Sequence, residues 1–361
     1  MENKVRILHV VTTMNRGGLE TMIMNYYRHI DRSKIQFDFL VHRDFDADYD
    51  QEIKQLGGYI YHLPRLNPFS RNYRKEFDQF LKEHPYQIIH VHQDCLSSIA
   101  LKAAYKNGIS VRIAHSHNAN QDRNIKYLIK RFYMRSIPKY ATHLFACGKE
   151  AGDWMFQGKS YEIMNNAIDS QMFKYNEFLR TDVRKSLSIK DNEIVIGHVG
   201  RFFYQKNHEF IIDIFHELNK KDKKFKLLLV GTGDLEDKIK EKVKELNLQD
   251  KVLFLGNRND VNELMQSMDI FLFPSHYEGL PVTLVEAQAT GLPIIKSNNV
   301  SDQCKITPNV WSLSLDDNVN IWVNKIIEVS KSFERKDTSK YIKDAGYDIN
   351  SNVKWLEDFY L

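Results

Sequence analysis

The sequence predicts an α/β protein made of two strand–helix domains, and three observations support this prediction. Short apolar runs typical of buried strands alternate with runs of helical spacing along the 361 residues. The alternation begins at 5–11 and begins again at 194–200, after a stretch without a clear pattern. At roughly 100–200 residues per domain, the chain length also fits two domains.

The composition is that of an ordinary globular protein, with 42% hydrophobic and 27% charged residues. A formal net charge of +4 is too small to predict a nucleic-acid partner. The three cysteines, Cys95, Cys147 and Cys304, are too widely spaced to indicate a disulfide framework or a Cys-rich metal site. No signal sequence or run of about 18 apolar residues stands out. We therefore expect a cytoplasmic protein without a membrane span.

In the first domain, 1–170, strands alternate with helices, which indicates a parallel sheet with crossover helices. The predicted strands are 5–11, 37–41, 59–63, 88–92, 111–114 and 143–147. The predicted helices are 19–30, 48–56, 70–84, 96–107, 123–137 and 149–156. Between the first strand and the first helix, Gly17 and Gly18 let the backbone approach a ligand, and a plain tight turn is the alternative.

The second domain, 171–345, repeats this pattern. Its predicted strands are 194–200, 226–230, 252–255, 270–273 and 293–295. Its predicted helices are 207–220, 234–247, 260–267, 282–290 and 318–333. The segment 346–361 ends the chain, and it contains a final helix with apolar residues available for burial.

The most informative stretch of the sequence follows the strand 270–273. Glu278 lies in a loop broken by Gly279 and Pro281, and Glu286 lies eight residues later in the next helix. Ligands of open α/β sheets bind at the carboxyl ends of strands, and the first turn of a helix offers N–H groups to a phosphate. Two carboxylates beside such a turn suit the hydroxyl groups of a nucleotide sugar. The alternative is an ordinary loop with two solvated glutamates.

Other strand ends of the second domain carry glycine or cations. Gly200 and Arg201 leave a strand and Lys206 precedes a helix, so an Arg fork and a Lys charge flank one loop and suit a diphosphate. Surface charge is the alternative, although positive residues at a helix start oppose the helix dipole. Gly231 and Arg258 follow the next two strands along the chain and are weaker candidates for the same ligand site.

Two histidines, His115 and His117, end the fifth predicted strand of the first domain. Residues two apart project to the same side of an extended segment, and this strand end faces the ligand edge of the sheet. Either histidine suits a hydrogen bond to a sugar hydroxyl or the acceptor, and polar loop residues are the alternative. A metal site is disfavoured because no third ligand is evident nearby.

Acidic and basic segments of the first domain suggest further partners. The run from Asp44 to Asp50 contains D-x-D patterns, which some metal-dependent glycosyltransferases of another fold use, but aspartates before a helix are also explained by its dipole. The segment 123–139 is basic and amphipathic, so it suits anionic lipid headgroups or a lipid-linked acceptor, and a solvated basic face is the alternative. Its apolar residues are expected to pack inward: Ile125, Leu128, Ile129, Phe132 and Tyr133.

Taken together, these residues resemble the retaining glycosyltransferases of family 4, which have the GT-B fold. The likeness covers almost the whole chain and is strongest to bacterial exopolysaccharide and capsule transferases. It implies two Rossmann-like domains with parallel sheets facing a central cleft, and a C-terminal helix that crosses back to the N-terminal domain. The segments that carry it are 15–21, 112–118, 197–207, 274–281 and 286–293.

The resemblance implies donor-binding roles in the second domain. Arg201 and Lys206 would hold the donor diphosphate, and Glu286 would bind the ribose. Glu278, with the amides of Gly279 and Leu280, would bind the transferred sugar and its phosphate.

In the first domain the resemblance implies that Gly17 and Gly18 line the diphosphate and acceptor side. Either His115 or His117 would be the histidine of the cleft, and the sequence leaves both open.

The expected activity is retaining transfer of a hexose or N-acetylhexosamine from a nucleotide sugar to a lipid-linked or saccharide hydroxyl, with a UDP sugar as the expected donor. No cofactor or metal is expected. The enzyme would build surface polysaccharide, in the cytoplasm or at the inner face of the membrane. Two alternatives remain open at this point: a nucleotide-sugar 2-epimerase of the same architecture, and a non-catalytic nucleotide-sugar-binding partner of another transferase.

Overall fold

The protein consists of two compact units. The computed structural model describes residues 4–118 and 125–361, with side chains described from residue 128 in the helix that begins at Ile125. The first unit contains the chain up to Ala167 together with Ile349–Leu361, and the second contains Ile168–Asp348. The sequence placed the end of the first domain at about residue 170 and the start of the returning segment at 346.

The first unit is built on a parallel sheet of seven strands in the order β3-β2-β1-β4-β5-β6-β7. The strands are β1 Val5–Val10, β2 Ile35–Val41, β3 Ile60–His62, β4 Ile88–Val91, β5 Val111–Ser116, β6 His143–Ala146 and β7 Glu162–Ile163. Every residue of β2 and β4 is buried, which is typical of parallel strands covered on both faces. The predicted strand order along the chain is therefore confirmed. The sequence also indicates a last strand and turn in 163–169, and β7 overlaps the start of that segment.

The helices of the first unit connect these parallel strands. They are α1 Gly18–His29, α2 Asp50–Gln55, α3 Arg71–Glu83, α4 Ser97–Lys106, α5 Ile125–Met134, α6 Ile137–Tyr140 and α7 Lys149–Phe156. The predicted start of the fifth helix at 123 lies outside the described residues. Among the helices that the structure describes, none is both long enough and apolar enough to span a membrane.

The exposed face of α5 differs from the prediction. Leu128 and Phe132 are 72% and 69% exposed, so the expectation that they pack inward is wrong. Ile129 and Tyr133 are half-buried, and the side chain of Ile125 lies outside the described residues. Amphipathic spacing identifies a helix face, but only the surrounding fold decides which face is covered.

The second unit contains a parallel sheet of six strands in the order β10-β9-β8-β11-β12-β13. The strands are β8 Ile194–Val199, β9 Phe225–Val230, β10 Val252–Phe254, β11 Ile270–Phe273, β12 Ile294–Ser297 and β13 Val310–Leu313. The helices are α8 Ser170–Phe173, α9 Glu177–Ser186, α10 His208–Lys221, α11 Glu236–Glu245, α12 Val261–Ser267, α13 Val282–Ala289, α14 Val319–Ser332 and α15 Ser339–Asp344.

The sequence missed α8, α9, α15 and β13. The start of α9 carries a recognisable signal, because the Asn176 side chain accepts a hydrogen bond from the Leu179 N–H and caps the helix. By contrast, β13 is four residues long and only its first residue, Val310, is buried. Its run is too short and too mixed to distinguish from a loop.

The final helix, α16 Ile349–Tyr360, belongs to the first unit. Phe359 packs on Phe145 with ring centroids 5.1 Å apart, and Glu357 accepts a hydrogen bond from the backbone N–H of Asp31 at 2.5 Å. The Tyr360 hydroxyl is hydrogen-bonded to His90 Nδ1 at 2.8 Å. The predicted return of the C-terminal helix to the N-terminal domain is therefore confirmed.

Both sheets reverse their strand order beside their first strand. In the first unit, β1 lies between β2 and β4, and in the second unit β8 lies between β9 and β11. Loops at the carboxyl ends of the two strands that flank such a reversal form a crevice, where ligands of open α/β sheets bind. The fold therefore identifies one candidate crevice in each unit.

Candidate functional site

The crevice of the second unit lies between the loops that follow β8 and β11. These loops are tied together by two hydrogen bonds, from the His276 N–H to the Gln205 carbonyl at 2.8 Å and from Asn207 Nδ2 to the Pro274 carbonyl at 3.1 Å. Asn207 has a left-handed backbone (φ 57°), and this kink separates the 3₁₀ turn Tyr204–Lys206 from the start of α10. The local backbone thus fixes the positions of Lys206 and its neighbours.

The structure brings Lys206 and Glu278 into direct contact. Lys206 Nζ lies 2.6 Å from Glu278 Oε1, and the two side chains are only 16% and 7% exposed. Gln205 Nε2 donates to the second carboxylate oxygen of Glu278 at 3.1 Å, and Lys206 Nζ lies 4.8 Å from the centre of the Phe273 ring. A nearly buried ion pair held by a third polar group is a prearranged charge site, because either partner alone would be costly to bury.

Arg201 lies at the start of the same loop, but its environment differs. Its side chain is exposed, and its guanidinium carbon is 5.2 Å from the centre of the Phe203 ring. Among the residues that the structure describes, Arg201 makes no ion pair, so its guanidinium remains available to an anion.

The glycines at these strand ends allow the loops to pack closely. Gly231 has φ +132°, and a Cβ there would lie 2.3 Å from the Gly200 carbonyl oxygen. A Cβ on Gly200 would lie 2.9 Å from His198 Nε2 and 3.1 Å from Lys206 Cδ. Gly200 and Gly231, both predicted to bind the donor, therefore have a structural role. They let the backbone after β8 and the backbone after β9 pack closely beside Lys206.

Arg258, another predicted donor-binding residue, is already paired. Its guanidinium forms two hydrogen bonds with the Asp260 carboxylate, at 2.8 and 2.5 Å. These hydrogen bonds lower the pKa of the Asp260 carboxyl and raise that of Arg258. A ligand at this position would have to compete with a bidentate carboxylate.

The loop that contains Gly279, Leu280 and Pro281 leads into α13. Leu280 is buried, and Pro281 occupies the N-cap position without a side-chain capping bond. The first turn of α13 therefore keeps N–H groups that no cap side chain occupies. Glu286 lies further along this helix and is 7% exposed.

Two hydroxyls near this loop were missed by the sequence analysis. The buried side-chain oxygens of Ser275 and Thr283 have no hydrogen-bond partner among the described residues. Ser275 follows β11, and Thr283 is the second residue of α13. Buried hydroxyls are normally bonded, so unpartnered ones beside a helix start are candidates for ligand contacts. The signal in the sequence is a Ser and a Thr on either side of the Glu278 loop.

Two histidines lie beneath this crevice, and both are buried. His198 Nδ1 is hydrogen-bonded to the Leu272 carbonyl at 2.9 Å, whereas His208 stacks on Phe202 with centroids 3.9 Å apart. Neither ring nitrogen of His208 has a partner among the described residues. Burial lowers the pKa of His198 to about 3 and that of His208 to about 2, so both rings are neutral at physiological pH.

In the first unit, the loop after β1 leads to the glycine pair. Gly17 is the N-cap residue of α1 in an extended conformation, and Gly18 is the first helical residue. A Cβ on Gly18 would meet no atom within 4 Å among the described residues, so this side of the backbone is open. The aspartates that follow β2 are engaged locally: Asp48 accepts from the Arg16 N–H and Asp50 from the Ala47 N–H, both at 2.9 Å.

His115 and His117 belong to a cluster of five histidines. The other members come from β1 and from β4 with the residue that follows it: His9, His90 and His92. Three hydrogen bonds join these rings in two separate sets. His92 bonds His9 (Nε2 to Nδ1, 3.1 Å) and His117 (Nδ1 to Nε2, 2.9 Å). His90 Nε2 bonds His115 Nδ1 at 3.1 Å, and His90 Nδ1 bonds the Tyr360 hydroxyl at 2.8 Å.

This cluster corrects the expectation that no third ligand lies near His115 and His117. One ligand atom each from His92, His115 and His117 lies within 4.8 Å of the others. His115 is fully buried and His117 is half-buried, so His117 is the one of the two with accessible surface. Burial lowers the pKa of all five rings, to about 3 for His117.

A cavity of about 280 Å³ opens beside this cluster. Its lining combines His92 with Thr12, Gln93 and Asp94 from the loops after β1 and β4, and with Arg43 and Arg65 among others. Asp94 has an unusual left-handed backbone (φ 45°), and its Oδ1 is buried without a partner among the described residues. The cavity occupies the crevice that the strand order of the first unit defines. Asp94 was not a sequence candidate, and nothing in its local pattern distinguishes it.

Comparisons with known proteins agree with this architecture. Residues 16–171 match Glycosyltransferase Family 4, and residues 180–344 match Glycosyl transferases group 1. The Bacillus subtilis protein EpsF is 37% identical over 98% of this chain and 96% of its own length. An Escherichia coli enzyme, named UDP-Gal:alpha-D-GlcNAc-diphosphoundecaprenol alpha-1,3-galactosyltransferase, is 25% identical over 78% of this chain and 77% of its own length.

A solved structure shows the same fold. The crystal structure of Anabaena Alr3699/HepE, in complex with UDP and glucose, matches with a TM-score of 0.78 at 17% identity, over 98% of this chain and 99% of that chain. Two parallel-sheet Rossmann-like units with a returning C-terminal helix define the GT-B fold. With the similarity to EpsF over nearly its full length, the chain belongs to glycosyltransferase family 4.

The buried His208 predicts a loss of stability in acid. The unfolded chain binds a proton at this side chain near pH 6.5, whereas the folded protein resists protonation down to about pH 2. The contribution of the neutral His208 ring to the free energy of unfolding is therefore fully present above pH 6.5. It decreases as the pH falls below that value, by about 2 kcal/mol between pH 6.5 and pH 5.

We expect His208→Leu to remove this share of the acid sensitivity, measured as the difference between urea unfolding free energies at pH 6.5 and pH 5. His216→Leu, at a half-buried histidine of the same helix, is the matched control and should keep the wild-type difference. An unchanged difference in His208→Leu would show that the ring is protonated in the folded protein.

Proposed function

We propose that this family 4 glycosyltransferase transfers a hexose or N-acetylhexosamine from a UDP sugar to a hydroxyl of a lipid-linked saccharide, with retention of configuration. The observation that carries the proposal is the buried Lys206–Glu278 pair at the strand-order reversal of the second unit, beside the start of α13. The product would extend a glycan of a surface polysaccharide, the role that the sequence resemblance implies. The enzyme would work in the cytoplasm, at the inner face of the membrane.

The second unit provides complementary groups for each part of the donor. The exposed guanidinium of Arg201 and the ammonium of Lys206 can bind the oxygens of a diphosphate. The N–H groups at the start of α13 can donate hydrogen bonds to its α-phosphate. Glu278 and Glu286 are both nearly buried, and they suit the hydroxyls of the sugar and the ribose. The UDP-Gal in the name of the Escherichia coli relative supports a UDP donor.

The reaction follows from this charge arrangement. The acceptor oxygen attacks the anomeric carbon from the side on which the diphosphate leaves, so the configuration is retained. The bond from the anomeric carbon to the diphosphate oxygen breaks, and the departing diphosphate takes the acceptor proton. Arg201 and Lys206 stabilise the negative charge that develops on the diphosphate. Because two cations serve the leaving group, we propose that the donor reaction needs no divalent metal.

The proposed acceptor is lipid-linked, and α5 of the first unit supports this choice. Leu128 and Phe132 are four residues apart, so they share one helix face, and both are exposed. Lys130, Arg131 and Arg135 supply positive charge on the same segment. Exposed apolar side chains with adjacent bases are typical of helices that lie on anionic membranes. The diphosphoundecaprenol in the name of the Escherichia coli relative is an acceptor of this kind.

The donor proposal predicts selective binding of one UDP sugar. Thermal-shift measurements across UDP, GDP and ADP sugars should give an increase in melting temperature with a UDP sugar that EDTA does not abolish. Glu286→Ala should lose this increase, because the ribose contact is removed. Glu245→Ala is the matched control, since it also removes a glutamate from a helix of the second unit. Binding of every nucleotide sugar alike, or of none with acceptor present, would contradict the proposal.

The charge-stabilising role of Arg201 predicts a large effect on turnover. Arg201→Ala should reduce kcat roughly a hundredfold, the typical effect of removing one group that stabilises transition-state charge. The measurement is UDP release in the presence of a lipid-linked saccharide acceptor. Lys223→Ala removes an exposed positive charge elsewhere in the second unit and should retain turnover. Unchanged kcat in Arg201→Ala would exclude this residue from the mechanism.

The membrane proposal predicts that two exposed side chains anchor α5. Leu128→Ser with Phe132→Ser should weaken sedimentation with vesicles that contain anionic phospholipid by at least tenfold. Burying each side chain would contribute about 1.5–3 kcal/mol, and even partial loss exceeds the 1.4 kcal/mol of a tenfold change. Phe178→Ser, at a phenylalanine of α9 that is 86% exposed, is the matched control. Equal sedimentation of all three proteins would contradict a role for α5.

A further inference from the structure

The histidine cluster of the first unit has more members than the one cleft histidine that the family resemblance implies. Three neighbouring strands, β1, β4 and β5, bring five imidazole rings together in the interior, through residues in or directly after the strands. Adjacent rings lie close: the His115 and His117 centroids are 4.0 Å apart, and those of His90 and His92 are 4.3 Å apart. A parallel strand buried on both faces normally carries apolar side chains, so this polar cluster calls for a physical explanation.

Part of the hydrogen-bonding capacity of the cluster is unused. The Nε2 atoms of His9 and His115 are buried and have no partner among the described residues. An unsatisfied buried polar atom destabilises the folded protein by roughly 1–3 kcal/mol, so a bound partner at either nitrogen would be stabilising. A metal ion is such a partner, because it takes the lone pair of a neutral imidazole.

Among the residues that the structure describes, two groups of three rings meet the distance requirement for a shared ion, and both include His92. In each group two rings face each other through a hydrogen bond that an ion would replace: His9 with His92 in the first, and His92 with His117 in the second. The third ring distinguishes the groups. Both ring nitrogens of His90, the third ring of the first group, are hydrogen-bonded, to Tyr360 and to His115. In the second group, the His115 Nδ1 is bonded to His90 while its Nε2 is unpartnered among the described residues. This is the arrangement of metal-binding histidines, in which a partner on one nitrogen orients the ring and leaves the other for the ion.

We propose that His92, His115 and His117 bind one divalent transition-metal ion of the class that prefers imidazole, with Zn²⁺ as the representative. Three nitrogen ligands without a carboxylate favour Zn²⁺, Co²⁺, Ni²⁺ or Cu²⁺ over Mg²⁺ or Ca²⁺. All three imidazole rings are neutral, which is the form that coordinates a metal ion. Sites with three protein ligands keep a fourth position for water or a ligand oxygen.

The cavity beside the cluster provides a path to this site. His92 belongs both to the ligand group and to the cavity lining, and His117 keeps accessible surface. An ion bound here is therefore reached from solvent through the cavity, and its fourth ligand comes from there. The site lies wholly in the first unit, and the proposed donor chemistry of the second unit does not depend on it.

The test is metal binding by the untagged full-length chain. EDTA treatment first removes bound metal, and Zn²⁺ is then added back. The protein should retain one Zn²⁺ per chain through gel filtration, measured by elemental analysis, and Zn²⁺ should raise its melting temperature. Co²⁺ should give the visible absorption of a tetrahedral site. Retention of no zinc and no Co²⁺ spectrum would overturn the proposal and leave a neutral imidazole cluster.

His117→Ala is the decisive variant, because the residue is half-buried and its loss disturbs the interior least. Its Zn²⁺ affinity should fall at least tenfold, since even partners that only orient a ligand contribute roughly 10–100-fold. His62→Ala removes an exposed imidazole of the same unit and should retain wild-type affinity. Wild-type affinity in His117→Ala, or an equal loss in His62→Ala, would overturn the assignment. The melting temperature of each metal-free variant shows whether it folds.

Discussion

Burial of both faces of a parallel sheet is the constraint on which the rest of this structure depends. Strands covered by helices on both sides must be apolar, so charged chemistry is displaced to the loops at their carboxyl ends. In the second unit, the loops after β8 and β11 carry Lys206 and Glu278, which would be remote from each other in an extended chain. The reversal of strand order beside β8 creates the crevice in which the two side chains meet.

The Lys206–Glu278 pair shows how two charged side chains are held in place in such a crevice. Each charge is largely removed from water, so each needs the other, and Gln205 supports the second carboxylate oxygen. In the proposed donor site, an entering diphosphate would compete with Glu278 for the ammonium group, while a sugar hydroxyl would donate to the carboxylate that is released. Ligand binding would then exchange one set of charge partners for another, so that two buried charges of opposite sign would serve one donor.

The sequence predicts those features that local patterns determine and misses those that need the three-dimensional arrangement. The Glu278 loop is recognisable because glycine and proline break the chain between a buried strand and a helix. The histidine cluster is not, because His9 and His90 meet His115 only through the pairing of β1, β4 and β5. The exposure of Leu128 was missed for a similar reason: helical spacing specifies a face, and the covering elements decide its environment.

The two units stabilise their buried polar side chains in different ways. The second unit balances a cation against a carboxylate at Lys206 and Glu278, so the pair is neutral as a whole and retains its charges for chemistry. The first unit buries imidazoles that are held neutral by desolvation, as the lowered pKa of His115 indicates. Neutral rings have lone pairs but no net charge, which suits them to a cation or to hydroxyl groups and not to phosphate. The difference in buried chemistry therefore matches the proposed division between a unit that binds the donor diphosphate and a unit that binds a metal cation.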